Sequence, residues 1–327
     1  MQNHWPNTEI TWIIGKSEFQ LVKAIKDVNF IVFDKSAGLS GYLELRKQVR
    51  QLHQGRGFEV LLHMQQSIRA SVASLMIPAD IKLGFDRARA KDMQSYFCTH
   101  QITPLSARQH VVDSFLEFPL FFGLGPVKAW QLPVSAAALD SVKKKLAADR
   151  KIFVINPCAV AKSRNWRNWT SEGYAAIADH VSQQHDMQVV LSGGHSELEK
   201  NTADEILALC RNSQPISLVA KTSIDELVAL LHLAEIVLAP DTGPVHIASA
   251  VGTKTIGLYA STNPDRAGPY NHRQYVVNRY PQALLKYNNK TVEAAPWGER
   301  VKTAECMKLI TVNDVIQQIE NVLAAST

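Results

Sequence analysis

Short apolar runs alternate with amphipathic stretches along nearly the whole chain, and this alternation restricts it to parallel sheets covered by helices on both faces. In the first half the strand candidates are Glu9 to Ile14, Phe30 to Phe33, Val60 to His63 and Ile81 to Phe85. Between and after them, Leu39 to Leu52, Ser67 to Leu75 and Ala107 to about Phe118 have helical spacing. In the second half the strand candidates are Ile152 to Ile155, Gln188 to Leu191, Ile216 to Val219, Ala234 to Ala239 and Thr255 to Tyr259. Helices are expected over Ser135 to Ala148, from Thr170 to Val181, Glu197 to Cys210, Ser223 to Leu233, and Thr311 to Val322. Thr170 and Ser223 stand where N-caps belong.

The texture breaks once, in the Gly/Pro-rich stretch Leu120 to Pro133. At 327 residues the chain has room for two domains. The expected division is residues 1–133 and 134–327, each a doubly wound unit. In such sheets ligands bind beyond the C-terminal ends of the strands.

Composition removes several function classes. The chain is 46% hydrophobic and 20% charged, as a globular protein is. A net charge of +5 suits an anionic substrate or a membrane surface and is too small to imply nucleic acid. Cys98, Cys158, Cys210 and Cys306 form no C-x-x-C pair, so free thiols are expected rather than a zinc site or a disulfide framework. No apolar stretch approaches the roughly 20 residues that span a bilayer, and the polar N-terminus lacks a signal-peptide core. No metal-ligand spacing, Walker loop, nucleophile elbow or G-x-G-x-x-G fingerprint occurs.

The chemistry concentrates in polar segments at strand ends. Asp241-Thr242-Gly243-Pro244-Val245-His246 follows an apolar run and opens a short helix. A tight Gly turn at a helix start presents backbone N–H groups at the positive end of the dipole, which suits a phosphate. Read alone, Asp241 or Thr242 is equally a helix cap. The segment from Asn156 to Trp169 offers Lys162, Arg164 and Arg167, cations suited to a diphosphate or simply a solvated loop. Ser192-Gly193-Gly194-His195-Ser196-Glu197 allows close backbone approach, with Glu197 free to accept from ribose hydroxyls or to favour the helix dipole. Thr222 sits in a short loop that lines a base pocket or merely starts a helix. In the first half, Gln65, Ser67 and Arg69 follow a strand and enter a helix, where they hold an anionic acceptor or form a polar helix start. His110 and Asp113 read as a structural pair.

The ordered series N-P-x-A…S-R-N-W-R-N-W-T-S-E-G-Y, L-S-G-G-H-S-E, A-K-T-S-I-D-E-L and D-T-G-P-V-H-I-A-S-A-V-G-T-K-T-I-G-L-Y resembles glycosyltransferase family 9, the ADP-heptose:lipopolysaccharide heptosyltransferases. The resemblance covers about residues 8 to 325 and is strongest from Asn156 to Tyr259. It implies a GT-B architecture, two Rossmann-like domains facing a cleft, with a nucleotide-sugar-binding C-terminal domain and an acceptor-binding N-terminal one. It implies inverting transfer of heptose from ADP-heptose to the lipopolysaccharide core and lipid A acceptor, with no bound cofactor and no catalytic metal. The implied setting is cytoplasmic and peripheral at the inner membrane surface.

By resemblance, Asp241, Thr242, Gly243 and His246 meet the diphosphate or heptose. Arg167 contacts the diphosphate, with Lys162 and Arg164 beside it. Glu197 binds ribose, Thr222 lies at the adenine, and Gln65, Ser67 and Arg69 serve the acceptor. The family's base is an Asp in a Gly-Asp turn after the first strand. No such turn occurs here, and the text resumes near Met1 as the end of that opening unit. Either the start lies about 30 residues upstream, the span of one strand-turn-helix, or the chain has no such base. Neither Asp34 nor Asp86 has a motif to replace it. Two further readings stay open: a related GT-B glycosyltransferase with another donor sugar, and a non-catalytic nucleotide-sugar-binding protein.

Overall fold

The computed structural model describes residues 1–52, 55–106, 108–130, 132–146, 149–159 and 165–325. The chain forms two compact units, Met1–Ala129 and Trp130–Thr327.

The first unit alternates strands and helices in chain order: β1 (Ile10–Gly15), α1 (Lys16–Val22), β2 (Val28–Phe33), α2 (Gly38–Leu52), β3 (Phe58–Leu62), α3 (Ile68–Leu75), β4 (Ala79–Gly84), β5 (His100–Gln101) and α4 (Val111–Leu120). Its strands form two separate parallel sheets, β1-β2 and β3-β4-β5. A core of Ile31, Leu45, Val49, Ala73 and Ile77 draws on both sheets, with Ile13 of β1 and Phe58 and Leu61 of β3 packed against it. A second cluster joins Leu83, Phe85, Ile102 and Phe118. The helix expected from Ala107 starts instead at Val111, because His110 Nδ1 accepts from Val112 N at 3.2 Å and caps it; His110 therefore stands outside the helix, before Asp113. Ala107 itself lies outside the described residues.

The second unit comprises α5 (Ala136–Lys143), β6 (Ile152–Ile155), α6 (Ser171–His185), β7 (Gln188–Leu191), α7 (Glu197–Leu209), β8 (Ile216–Ser217), α8 (Ile224–Leu233), β9 (Ile236–Pro240), α9 (Gly243–Ala250), β10 (Lys254–Tyr259), α10 (Pro264–Ala267), β11 (Val277–Asn278), α11 (Tyr280–Asn288) and α12 (Val312–Ala324). One six-stranded sheet has the order β11-β10-β9-β6-β7-β8, and every pair in it is parallel.

All five residues of β9 and all four of β7 are buried, which is why these runs read as continuously apolar rather than alternating. Strand period two splits the core by face. Phe153, Ile155, Val189, Leu191, Ile236 and Leu238 pack with α6, α7, α11 and α12. Val154, Val190 and Val237 pack with α5, α8 and α9.

Caps define the helix starts. Thr170, Ser196, Ser223 and Thr311 each accept from a backbone N–H of the first turn, and the last three form reciprocal capping boxes. β8 stops at Ser217 rather than Val219, since Ala220 with φ +60° turns the chain away.

Trp169 anchors the entry to α6. It is 5% exposed, donates from Nε1 to Ile310 O at 3.0 Å and stacks edge-on against Tyr174. Gly173 lies directly under its ring, and a Cβ there would meet Trp169 Cη2 and Cζ2 at 2.6 Å. Gly to Ala inside a helix ordinarily stabilises by about 0.5–1 kcal/mol. Here the rigid buried indole reverses the sign. Gly173→Ala is expected to destabilise the fold by about 1–3 kcal/mol, the cost of overpacking, as a lowered urea midpoint; an unchanged or raised midpoint would show that the indole can move aside.

Candidate functional site

In an all-parallel sheet every strand ends at the same edge, so the loops that follow the strands share one rim. The strand order reverses at β6: the chain proceeds to β7 and β8 on one side and places β9, β10 and β11 on the other. The crevice beyond this reversal is where open α/β sheets hold ligands. The loops after β6 and β9 are tied together there. Arg167 Nη1 donates to the Asp241 carbonyl at 2.7 Å and lies 3.5 Å from the Asp241 carboxylate.

Asp241 is the electrostatic centre. Its side chain is 13% exposed, with His246 Nε2 3.6 Å away on the other carboxylate oxygen. Burial pushes its pKa up, but hydrogen bonding to His246 and the neighbouring His246 and Arg167 charges more than offset this and hold it below the usual carboxylate range. Thr262, buried next to this carboxyl, lowers its pKa further by side-chain hydrogen bonding. Asn156, at the end of β6, donates from Nδ2 to Ser192 O at 3.1 Å, while its buried Oδ1 has no protein partner. Buried polar atoms left unpaired at a strand-end rim are places for a polar ligand.

Thr242 occupies the N-cap of α9 but its side chain makes no capping hydrogen bond. The helix begins Gly243-Pro244, and no Cβ contact crowds Gly243. The start of α9 therefore offers the dipole without the side-chain oxygen that closes α6, α7 and α8. The expectation that Thr242 or Asp241 merely caps this helix by its side chain does not hold for Thr242.

Arg266 on α10 was not picked out by sequence reasoning. It is half-buried, and among the described residues its guanidinium makes no ion pair within 4.0 Å. Burial and the nearby Arg300 charge lower its pKa, and the Asp241 charge counters part of that. Two arginines thus share the field of one buried carboxylate. The sequence signal was faint: Asn263-Pro264-Asp265-Arg266 marks a capped turn after β10, a strand-end loop like the others.

The remaining candidates divide. Glu197 is the first residue of α7, 79% exposed, and pairs with Lys200 at 2.7 Å. Its neighbour Glu199 accepts from Gly194 N at 2.7 Å and from Ser196 Oγ at 2.6 Å, so the Gly-Gly turn is closed by the helix's own carboxylate. Thr222 is half-buried just before the Ser223 cap of α8. Lys162 and Arg164 lie outside the described residues. In the first unit, Ser67 caps α3 by accepting from Ala70 N, while Gln65 and Arg69 are exposed beside it. Asp34 and Asp86 are engaged by their own turns, Asp34 accepting from Ser36 N and Oγ and Asp86 pairing with Arg89.

Comparison with known proteins identifies the family and the fold. Residues 44–294 match the profile of glycosyltransferase family 9 (heptosyltransferase). The chain is 35% identical over 322 residues, 98% of its length and 90% of the relative's, to the lipopolysaccharide core heptosyltransferase OpsX of Haemophilus influenzae. It is 20% identical to lipopolysaccharide heptosyltransferase 3 of Escherichia coli, over 100% of this chain and 94% of that protein. Among solved structures, the glycosyl transferase family 9 protein of Veillonella parvula superposes with a TM-score of 0.75 at 17% identity, covering 99% of this chain and 90% of that one. The E. coli heptosyltransferase WaaC with ADP gives 0.68 at 19% identity, covering 98% and 92%. These likenesses establish the α/β fold of parallel sheets.

The loop that carries Gln65, Ser67 and Arg69 follows His63, the residue after β3. It is 5% exposed, its Nε2 lies 3.2 Å from Ser71 Oγ, and its carbonyl accepts from Gln94 Nε2 at 2.7 Å. Burial, with Lys82 adding to it, lowers its pKa from 6.5 to about 4. Between those values the unfolded chain binds a proton that the folded chain refuses. Stability from this group is therefore complete above pH 6.5 and declines as pH falls toward 4. We expect His63→Gln to remove about 3 kcal/mol of pH dependence from that window. Urea unfolding of both proteins at pH 4.5 and 7 measures it; equal slopes would mean that His63 takes up its proton without unfolding.

Proposed function

This chain belongs to glycosyltransferase family 9, and on that premise we propose that it transfers a heptose from ADP-heptose to the inner core of lipopolysaccharide. The observation that carries this reading is the pair Arg167 and Arg266 disposed about the buried Asp241, beside the open start of α9, at the reversal of strand order. A diphosphate there meets two guanidinium groups and a helix dipole. The donor is a substrate, and the scheme needs no resident cofactor.

As the bond from the anomeric carbon to the diphosphate oxygen breaks, negative charge builds on departing ADP. Donors already fixed in place stabilise that charge without reorganising. Asp241 keeps Arg167 oriented, and His246 lies on the opposite side of the same carboxylate, toward the sugar. Glu197 is placed at the ribose and Thr222 at the adenine. The acceptor hydroxyl attacks the anomeric carbon as the bond to ADP breaks, and its proton passes to a general base, a role assigned to none of the residues named above.

Gln65, Ser67 and Arg69 are assigned to the anionic acceptor. We place the enzyme at the cytoplasmic face of the inner membrane as a peripheral protein, consistent with its net charge of +5. No helix among the described residues is long and apolar enough to cross a membrane.

Titration calorimetry with ADP, UDP and GDP tests the donor. ADP is expected to bind selectively, with Arg167→Ala and Arg266→Ala each weakening it about tenfold or more, the loss of about 1.4 kcal/mol or more from a charge-assisted contact. Preference for UDP or GDP would assign another donor sugar. Equal ADP affinity in both variants would move the diphosphate away from Asp241.

A further inference from the structure

A second cluster of chemically capable side chains lies on the second unit, far from the donor loops along α6. That helix leaves the C-terminal edge of the sheet after β6 and returns to the start of β7. Its 15 residues span about 22 Å. Arg167 and Trp169 stand at its beginning and His180 and His185 near its end. Opposite the two histidines is Glu320 of α12. His185 Nε2 lies 2.8 Å and His180 Nε2 3.2 Å from the same oxygen, Glu320 Oε1. The two imidazole rings meet edge to face, with centroids 5.6 Å apart and planes at 69°. One donor atom from each of the three residues falls within 4.8 Å of the others.

We propose that His180, His185 and Glu320 form a binding site for a borderline divalent transition cation of the Zn2+ class, which clamps α12 to α6. Two imidazole nitrogens and one carboxylate oxygen are a donor set suited to zinc. Distances support it. Tetrahedral zinc with bonds of 2.0–2.1 Å places its ligand atoms about 3.4 Å apart. To reach that spacing the two N···O edges, 2.8 and 3.2 Å, open by about 0.6 and 0.2 Å, and the two imidazole nitrogens, within 4.8 Å of each other, settle toward the same separation. The side chains are accessible to it: the imidazoles are 21% and 20% exposed and the carboxylate 49%. The exposed side leaves the fourth position to water.

The site has a structural consequence in the fold. α6 and α12 run side by side in the same direction. Ahead of their N-termini they are joined by the Trp169 Nε1 to Ile310 O hydrogen bond, and toward their C-termini by the histidine–Glu320 contacts. Both helices pack on the same core through Ile177, Val181, Val315, Ile319 and Val322. A cation bound to residues of both helices, absent from the unfolded chain's geometry, stabilises the closed arrangement by mass action.

The test is calorimetric titration of the EDTA-treated full chain with Zn2+, repeated with His185→Ala, His180→Ala and Glu320→Gln. One-site binding is expected in the parent, weakened about tenfold or more in each variant, with a melting temperature raised by about 2–4 °C at saturating zinc. Co2+ in place of Zn2+ is expected to give an absorption spectrum of four-coordinate type. Glu320→Gln keeps a hydrogen-bond acceptor and the side-chain shape, so its folding is preserved while its charge is lost. ADP binding is expected to be unchanged in all three variants. Absence of Zn2+ binding by the parent overturns the proposal, as does binding that survives undiminished in the three variants, which would place the metal on other groups such as the free cysteines.

Discussion

The site depends on keeping an ionised carboxylate out of water. Burying a charge is costly unless it is paired, and losing one member of such a pair leaves the other uncompensated. Asp241 is held in its charged form by His246 and Arg167. That arrangement ties the loop after β6 to the loop after β9 across the reversal in strand order, so that Arg167 is fixed before any ligand arrives. Arg266 stands in the same field, half-buried and without an ion pair of its own among the described residues. An anion entering there meets cations that the fold has already partly desolvated and fixed in place, which favours electrostatic stabilisation.

The two units solve the α/β problem differently. In the second, β6, β7, β9 and β10 are buried almost throughout, because helices cover both faces of a continuous sheet. In the first, the strands are mostly half-buried, and Trp12 and Val32 are exposed on β1 and β2. Its core is divided into two clusters lying over two short sheets. The charged cluster around Asp241 stands on the densely packed frame of the second unit, and rigidity follows from density of packing.

Sequence reading succeeded where local chemistry was explicit. Ser67, Ser135, Thr170, Ser196, Ser223 and Thr311 each cap a helix by side chain, and each of those helices was legible. The helices it passed over are α1, α10 and α11. α1 and α11 have caps, Gly15 and Arg279, that make no side-chain hydrogen bond, and only Pro281 in the first turn of α11 marked a start. The four-residue α10 is too short for periodicity to register. Of the candidate site, Arg167, Asp241, Thr242 and His246 could be picked out because they lie in the polar segments that follow the apolar runs of β6 and β9. Arg266 was not, since its part is set by burial and by its distance from Asp241, neither of which has a one-dimensional trace. The same holds for His180, His185 and Glu320: residues separated by 135 positions or more come together only because α12 returns to lie along α6.

That return is itself prepared by polar chemistry at the start of α12. Asp314 completes the Thr311 capping box and also accepts from Nε and Nη2 of Arg279, the residue preceding α11. One carboxylate thereby fixes the helix N-terminus, favours its dipole and joins it to the end of the sheet at β11. Trp169 then holds Ile310, two residues before the helix, to the entry of α6. Because Trp169 is two residues from Arg167, the position of the last helix is mechanically continuous with the Arg167–Asp241 contact. A change that loosens α12 at Asp314 therefore reaches the Arg167–Asp241 contact through the indole.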